Sequence, residues 1–179
     1  MGGSAWPAAA VRRHAFVITL VERVRDADIA TIAEIERRSF SDPWSERSFR
    51  DVLAHSGMFF ACARGDVNDG PAASRVLGYV VAWFAGGQGE IANLAVDPDA
   101  RGRGIGSILL DAALDKARRQ RTDEVFLEVR SSNLRARQLY ESRGFAEVGR
   151  RRRYYRQPVE DAVILRWTEP AAVNPHSKL

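Results

Sequence analysis

Asn93-Leu94-Ala95-Val96-Asp97-Pro98-Asp99-Ala100-Arg101-Gly102-Arg103-Gly104-Ile105-Gly106-Ser107 reads as an apolar strand, a glycine-rich turn and a helix start in unbroken succession. Glycines at alternate positions, Gly102, Gly104 and Gly106, let the backbone approach a ligand closely. The first turn of the helix that follows has N–H groups without intrahelical partners and a partial positive charge, which suits phosphate. The stretch therefore predicts a cradle for a phosphorylated cofactor. A Walker A loop would put Lys and then Ser or Thr after its last glycine, whereas Gly106 is followed by Ser107-Ile108, which disfavours ATP and GTP. A dinucleotide fingerprint needs G-x-G-x-x-G in a first βαβ unit, and this chain has G-x-G-x-G past its midpoint.

Outward from that stretch the chain alternates strand and helix patterns. Residues 16–24 read as a strand, and Asp26 as the N-cap of a helix whose apolar positions Ile29, Ile32, Ala33, Ile35 and Phe40 keep helical spacing. Asp42-Pro43-Trp44 breaks that helix, and Ser45 caps a second, short amphipathic one that ends near Gly57. Strands are predicted over 58–63, 76–84 and 89–96, with a turn or loop over 65–74. The helix after the glycine turn buries Ile105, Ile108, Leu109, Ala112 and Ala113, and Lys116, Arg118, Arg119 and Arg121 complement its C-terminal dipole. A strand over 124–129, a helix over 134–143 and a closing strand pair near 145–149 and 159–167 complete the pattern. This reads as a single mixed α/β (α+β) domain over 16–167, with loose ends over 1–15 and 168–179.

Composition narrows the function. A chain of 179 residues, 45% hydrophobic and 28% charged, suits one soluble domain with a sizeable core. One cysteine excludes an intrachain disulfide, and His14, His55 and His176 are too scattered to suggest a metal site, so none is expected. Cys62, in Met58-Phe59-Phe60-Ala61-Cys62-Ala63, reads as a buried core thiol, and a reducing cytoplasmic compartment is expected. Arg12-Arg13-His14 precedes an apolar run, but charge resumes at Glu22-Arg23 without a small-residue cleavage site, so no signal peptide or membrane span is predicted.

Leu127-Glu128-Val129-Arg130-Ser131-Ser132-Asn133 and the helix pattern from Leu134 through Tyr140 to Gly144-Phe145 form a second strand, loop and helix. The loop Arg101-x-x-Gly104-x-Gly106 is similar to that of GCN5-related N-acetyltransferases, and the acyl transfer from a thioester to an amine which that resemblance implies needs a base for the ammonium and an acid for the departing thiolate. Glu128 can take the first role, directly or through a water, and Tyr140 the second. Backbone N–H groups of the strand before the glycine turn could polarise the thioester carbonyl. From spacing alone the bland alternatives stand beside these roles: Glu128 as a strand carboxylate paired with an arginine, Tyr140 as a packing residue, Asn133 as an N-cap, Gly144 as a left-handed helix terminator.

Arg101-x-x-Gly104-x-Gly106 after an apolar strand resembles the acetyl-CoA pyrophosphate loop of the GCN5-related N-acetyltransferase (GNAT) superfamily. Residues 20–167 resemble its RimI-type ribosomal-protein alanine N-acetyltransferases, through Phe40-Ser41-Asp42-Pro43-Trp44-Ser45, Asn93-Leu94-Ala95-Val96, Leu127-Glu128-Val129-Arg130, Leu139-Tyr140-Glu141 and Tyr154-Tyr155. The resemblance implies a mixed, mostly antiparallel central sheet of about six to seven strands flanked by about four helices. It implies that Leu94, Ala95, Val96, Arg101, Gly102, Arg103, Gly104, Ile105, Gly106, Ser107 and Asn133 bind acetyl-CoA, with Glu128 as proton acceptor and Tyr140 as proton donor. It also implies the N-terminal alanine of small-subunit ribosomal protein eighteen as acceptor, with Tyr154 and Tyr155 lining its groove or packing beneath a hairpin, and Trp44 flanking that groove or closing the core. No membrane or direct nucleic-acid partner is required, and a monomer is expected.

This chain departs from that pattern at Arg150-Arg151-Arg152-Arg153, where the family has Asn before the paired tyrosines. The run reads as a solvated turn, and with a net charge of +4 it is compatible with a ribosome-associated substrate. Two alternatives keep the chemistry but change the acceptor: a small amine such as a polyamine or aminoglycoside, which needs an acidic pocket for which Asp42, Glu46 and Glu90 are the candidates, or a broader set of protein N-termini. A third is a non-catalytic acetyl-CoA-binding or RNA-associated module.

Overall fold

The computed structural model describes residues 18–65 and 75–169. The expected start of the first strand, the loose N-terminal stretch, most of the 65–74 loop and most of the C-terminal tail lie outside those residues.

Strand β1 (Ile18–Arg23) leads into a short turn of 3-10 helix over Asp26–Asp28 and helix α1 (Ile29–Ser39). Asp28, rather than the expected Asp26, makes the cap-like bond, accepting from the Arg25 N–H at 2.8 Å. The preference has a tertiary cause, since Arg64 on the neighbouring strand binds the same carboxylate at 2.6 Å and draws it inward. Helix α2 (Glu46–Ala54) is capped as expected, with Ser45 Oγ accepting from the Ser48 N–H at 3.1 Å.

Strands β2 (Met58–Gly65), β3 (Arg75–Ala85) and β4 (Gln88–Val96) form a meander. The β3–β4 turn places Gly86 and Gly87 at φ +59° and +82°, values that L side chains rarely adopt. Helix α3 (Ile105–Arg119) then crosses to β5 (Glu124–Arg130), followed by α4 (Leu134–Glu141), β6 (Ala146–Arg156) and β7 (Val159–Thr168). The seven-stranded sheet has the order β1-β2-β3-β4-β5-β7-β6, and β4 and β5 are its parallel pair. This is the mixed, mostly antiparallel sheet with four α-helices that the sequence resemblance implied. Among the described residues no helix is long and apolar enough to cross a membrane.

The pleat divides the core into two layers. On one face Ile29, Ile32, Ile35 and Phe49 from α1 and α2 pack on Phe60, Cys62, Tyr79 and Val81. On the other, Leu109, Leu110, Ala113 and Leu114 from α3 pack on Leu77, Val80, Val125, Leu127 and Leu165. Cys62 is fully buried as expected, and burial pushes its thiol up to about 11.

The C-terminal hairpin differs from the sequence reading. The closing pair was expected to end near residue 149, yet β6 continues to Arg156, so Arg150, Arg151, Arg152 and Arg153 lie in a strand rather than a turn. Register shifts between Arg151 and Tyr155, where Arg153 sits at φ +52° and donates its N–H to Asp161 Oδ1 at 2.8 Å. That contact across the hairpin spans the irregularity, and pairing resumes at Tyr155. Helix α4 ends at Glu141, earlier than the expected 143, and Gly144 at φ +88° turns the chain into β6.

Gly78 ties this packing to β4 and α3. A Cβ added at Gly78 on β3 would lie 2.7 Å from the Ala95 carbonyl oxygen and 3.1 Å from Leu109 Cδ1, so β4 and α3 must both move. Gly78→Ala is expected to cost about 2 kcal/mol, read as a lowered urea midpoint at unchanged m-value.

Candidate active site

Strands β4 and β5 run side by side only briefly. Their pairing covers Gln88↔Glu124, Gly89↔Val125 and Glu90↔Phe126, after which the two strands part. The edge of β4 beyond Glu90 that points towards β5 is left without a strand partner, so backbone groups of the 91–96 segment are available to a ligand. Leu94 and Val96 turn their side chains towards α3, while Ala95 is buried on the α1 face. The Ala95 carbonyl points at β3, so its backbone groups belong to the β3–β4 ladder, and Leu94 and Val96 are the residues whose N–H groups lie on the open edge.

The glycine turn closes the far end of this opening. Gly102 and Gly104 take φ +83° and +79°, and Gly104 is the N-cap of α3. The Ile108 N–H bonds back to Gly104 O at 3.1 Å, leaving the N–H groups of Ile105, Gly106 and Ser107 as the open first turn. Ile105 buries its side chain in the core, so its contribution is also a backbone one. At Gly106 a Cβ would press on Leu139 Cδ2 at 3.3 Å, which explains the third glycine as a packing requirement between α3 and α4.

The arginines of the turn have structural partners. Arg101 donates to the Val96 carbonyl at 3.2 Å and to Ser39 Oγ at 3.0 Å, while Arg103 is exposed in the same turn. Sequence reasoning missed Arg135 on α4, whose guanidinium lies 3.6 Å from where a Gly102 Cβ would stand. It also missed Asp97, a buried carboxylate that pairs with Arg38 at 3.0 Å and Arg75 at 2.7 Å and accepts from the Asp99 N–H at 3.0 Å. The Asp-Pro step before the glycine turn was the available signal for a capping carboxylate. Asn133 caps α4, accepting from the Ala136 N–H at 3.2 Å, which leaves its amide NH₂ for another partner.

Glu128 stands on β5 two residues past the last β4–β5 pair, where the strands separate. Its carboxylate meets Arg151 at 3.0 Å and the Tyr154 hydroxyl, a contact that raises the affinity of that phenol for its proton. Arg151 is largely exposed, and exposed ion pairs are weak, so an incoming cation can displace it at small cost. Tyr140 is buried, with its ring edge-on to Phe145, and its hydroxyl makes no hydrogen bond among the described residues. Desolvation, reinforced by Tyr155, pushes its phenol up to about 12.

Of the three residues expected beside the acceptor, Tyr154 and Tyr155 stand edge to face near Glu128. Trp44 instead rests its ring on Phe49, 5.6 Å between centroids, and gives its backbone N–H to Glu36 at 3.0 Å. Glu36 is almost wholly buried and also accepts from Tyr79 and from Asn93 at 3.1 Å. A charge in the apolar stripe of α1 was its sequence signal. The acidic residues considered for a small-amine pocket do not assemble one: Glu46 is taken by Arg50 at 2.9 Å, and Asp42 and Glu90 are exposed.

The model of the Acetyltransferase (GNAT) family matches residues 29–145, which take in the glycine turn, α3 and the parting of β4 and β5. The chain belongs to the GNAT acetyltransferase family. It is 35% identical over 140 residues to the [ribosomal protein bS18]-alanine N-acetyltransferase of Salmonella typhimurium, covering 77% of this chain and 89% of that protein. It is 40% identical over 143 residues to the N-alpha-acetyltransferase RimI of Mycobacterium tuberculosis, covering 78% of this chain and 86% of that one. The crystal structure of the ribosomal-protein-S18-alanine N-acetyltransferase from Escherichia coli superposes with a TM-score of 0.73 at 28% identity, over 87% of this chain and 97% of the other. This GNAT protein is an acyltransferase, and acetyl-CoA is its acetyl donor. The open helix turn, the left-handed glycines and the unpartnered edge of β4 fit that donor's pyrophosphate and pantetheine chemistry.

Because Asp97 holds Arg38 and Arg75 beneath the cofactor turn, Asp97→Asn is expected to cost about 2 kcal/mol, the partly exposed arginines limiting the loss. The KM for acetyl-CoA rises several-fold with it. Thermal unfolding and steady-state kinetics check the two effects.

Proposed function

We propose that this chain acetylates the N-terminal α-amine of a protein that begins with alanine, with ribosomal protein bS18 as the acceptor. The observation that carries the reading is the position of Glu128: a carboxylate at the parting of β4 and β5, within reach of the Tyr154 hydroxyl and covered by a displaceable arginine. The bS18-alanine acetyltransferases among its relatives support the acceptor.

Bound acetyl-CoA supplies an acetyl thioester. The 102–107 turn and Asn133 hold the donor, and the free edge of β4 at Leu94 and Val96 directs N–H groups at the thioester carbonyl, where negative charge grows as the amine attacks. Glu128 takes the proton of the acceptor ammonium, directly or through one water, as Arg151 gives way to that cation. Tyr140 gives its proton to the departing thiolate. Its high proton affinity keeps it in the acid form throughout the working range. Tyr154 and Tyr155 line the acceptor side, and the enzyme works as a cytoplasmic monomer without a metal.

Glu128→Gln is expected to lower kcat by about 100-fold or more, and Tyr140→Phe by a similar factor, with acetyl-CoA binding retained in both. The assay is thiol release with a peptide bearing a free N-terminal alanine, against the same peptide acetylated in advance. Turnover of the blocked peptide would overturn the α-amine reading. The kcat/KM profile should climb to about pH 8 as the free amine accumulates. It should then hold to about pH 10, since Tyr140, raised to about 12, loses its proton only above that. A decline beginning near neutrality would remove Tyr140 as the acid.

A further inference from the structure

Arg130 ends β5 two residues after Glu128, and its guanidinium joins segments from opposite ends of the chain. One terminal nitrogen donates to Ser41 Oγ at 2.7 Å, in the connection between α1 and α2, and to the Gln157 carbonyl at 3.1 Å, in the turn between β6 and β7. The other donates to the Pro158 carbonyl and to Glu160, both at 3.3 Å. Its Cζ lies over the Tyr155 ring, 4.0 Å from the centroid. Glu160 is itself held from below by the Ser131 hydroxyl at 3.0 Å and the Ser132 N–H, which keep its carboxyl down at about 2. The arginine is thus oriented from every side.

We propose that Arg130 is a specificity-determining residue, a clasp that sets the gap between the Ser41 segment and the 157–158 turn and so limits the size of the first residue of the acceptor. The inference rests on the reading that a protein N-terminus is acetylated at Glu128. The ends of the α1–α2 connection are tied elsewhere, Ser39 to Arg101 and Trp44 to Glu36. Among the described residues, Arg130 supplies the hydrogen bonds that hold its middle to the turn between β6 and β7, two residues along β5 from Glu128. A small first side chain passes while the clasp is closed, whereas a large one needs the two segments to separate and must break a charge-assisted bond. Lysine cannot replace the arginine here, because a single ammonium lacks the planar fork that reaches several acceptors while stacking on an aromatic ring.

The test compares the wild type with Arg130→Lys, which keeps the charge, and Ser41→Ala, which unties one end of the clasp without touching its core. Each protein is assayed on two peptides that differ only in beginning with Ala or Leu, alongside acetyl-CoA titration and thermal unfolding. The expected result is that the Ala-over-Leu ratio of kcat/KM falls roughly tenfold in Arg130→Lys, the loss of one hydrogen bond to a charged group. It should fall in the same direction in Ser41→Ala, with acetyl-CoA affinity within about twofold of wild type. An unchanged ratio in both variants overturns the clasp, as does a preserved ratio accompanied by joint loss of acetyl-CoA affinity and thermal stability. A wild type that acetylates neither peptide overturns the N-terminal reading itself, and the clasp falls with it.

Discussion

Two parallel strands that separate after three paired residues are the constraint on which the rest of this molecule depends. A continuous β4–β5 ladder would consume the backbone groups of the 91–96 segment and bury Glu128 under a neighbouring strand. Because the strands part, β4 keeps an unused polar edge, and β5 presents Glu128 at the mouth of the gap. The separation is sustained from both faces. Gly78 lets the Ala95 carbonyl and Leu109 approach β3 closely, and α3 packs its apolar stripe beneath the opening. The glycine turn then delivers the first turn of α3 to the end of β4, where the unpaired strand edge runs out.

Charge organises the site more than apolar area does. Of 27 basic residues, Lys116 and Lys178 are the lysines and the rest are arginines. The arginines do the joining: Arg38 and Arg75 on Asp97, Arg101 on Ser39 and Val96, Arg130 on Ser41 and Gln157, Arg151 on Glu128. A guanidinium satisfies several acceptors at fixed angles, so each of these contacts also orients what it holds. The buried carboxylates Glu36 and Asp97 play the complementary part, gathering donors from separate elements around a charge that must be compensated where it lies.

What was legible in the chain was local. Ser45 and Asn133 cap the helices they were expected to cap, because a short polar side chain bonds an N–H three residues on, whatever surrounds it. Gly144 adopts the left-handed backbone expected where its helix ends. Where a distant partner intervened, the local signal failed. Arg64 drew Asp28 into the role expected of Asp26, and Asp161 held Arg153 in a strand that composition had suggested was a turn.

By itself the sequence determined the order of strands and helices and the glycine turn that opens α3, and it offered Glu128 and Tyr140 as candidates for proton transfer, since each of these readings depends on residues close together in the chain. Only the tertiary structure decided that Glu36 and Asp97 are buried hubs, that Trp44 packs on Phe49, and that Arg130 bridges Ser41 and Gln157. Those contacts join residues far apart in sequence. Their geometry comes from strand register and helix packing, and no periodicity along the chain encodes which side chains will meet there.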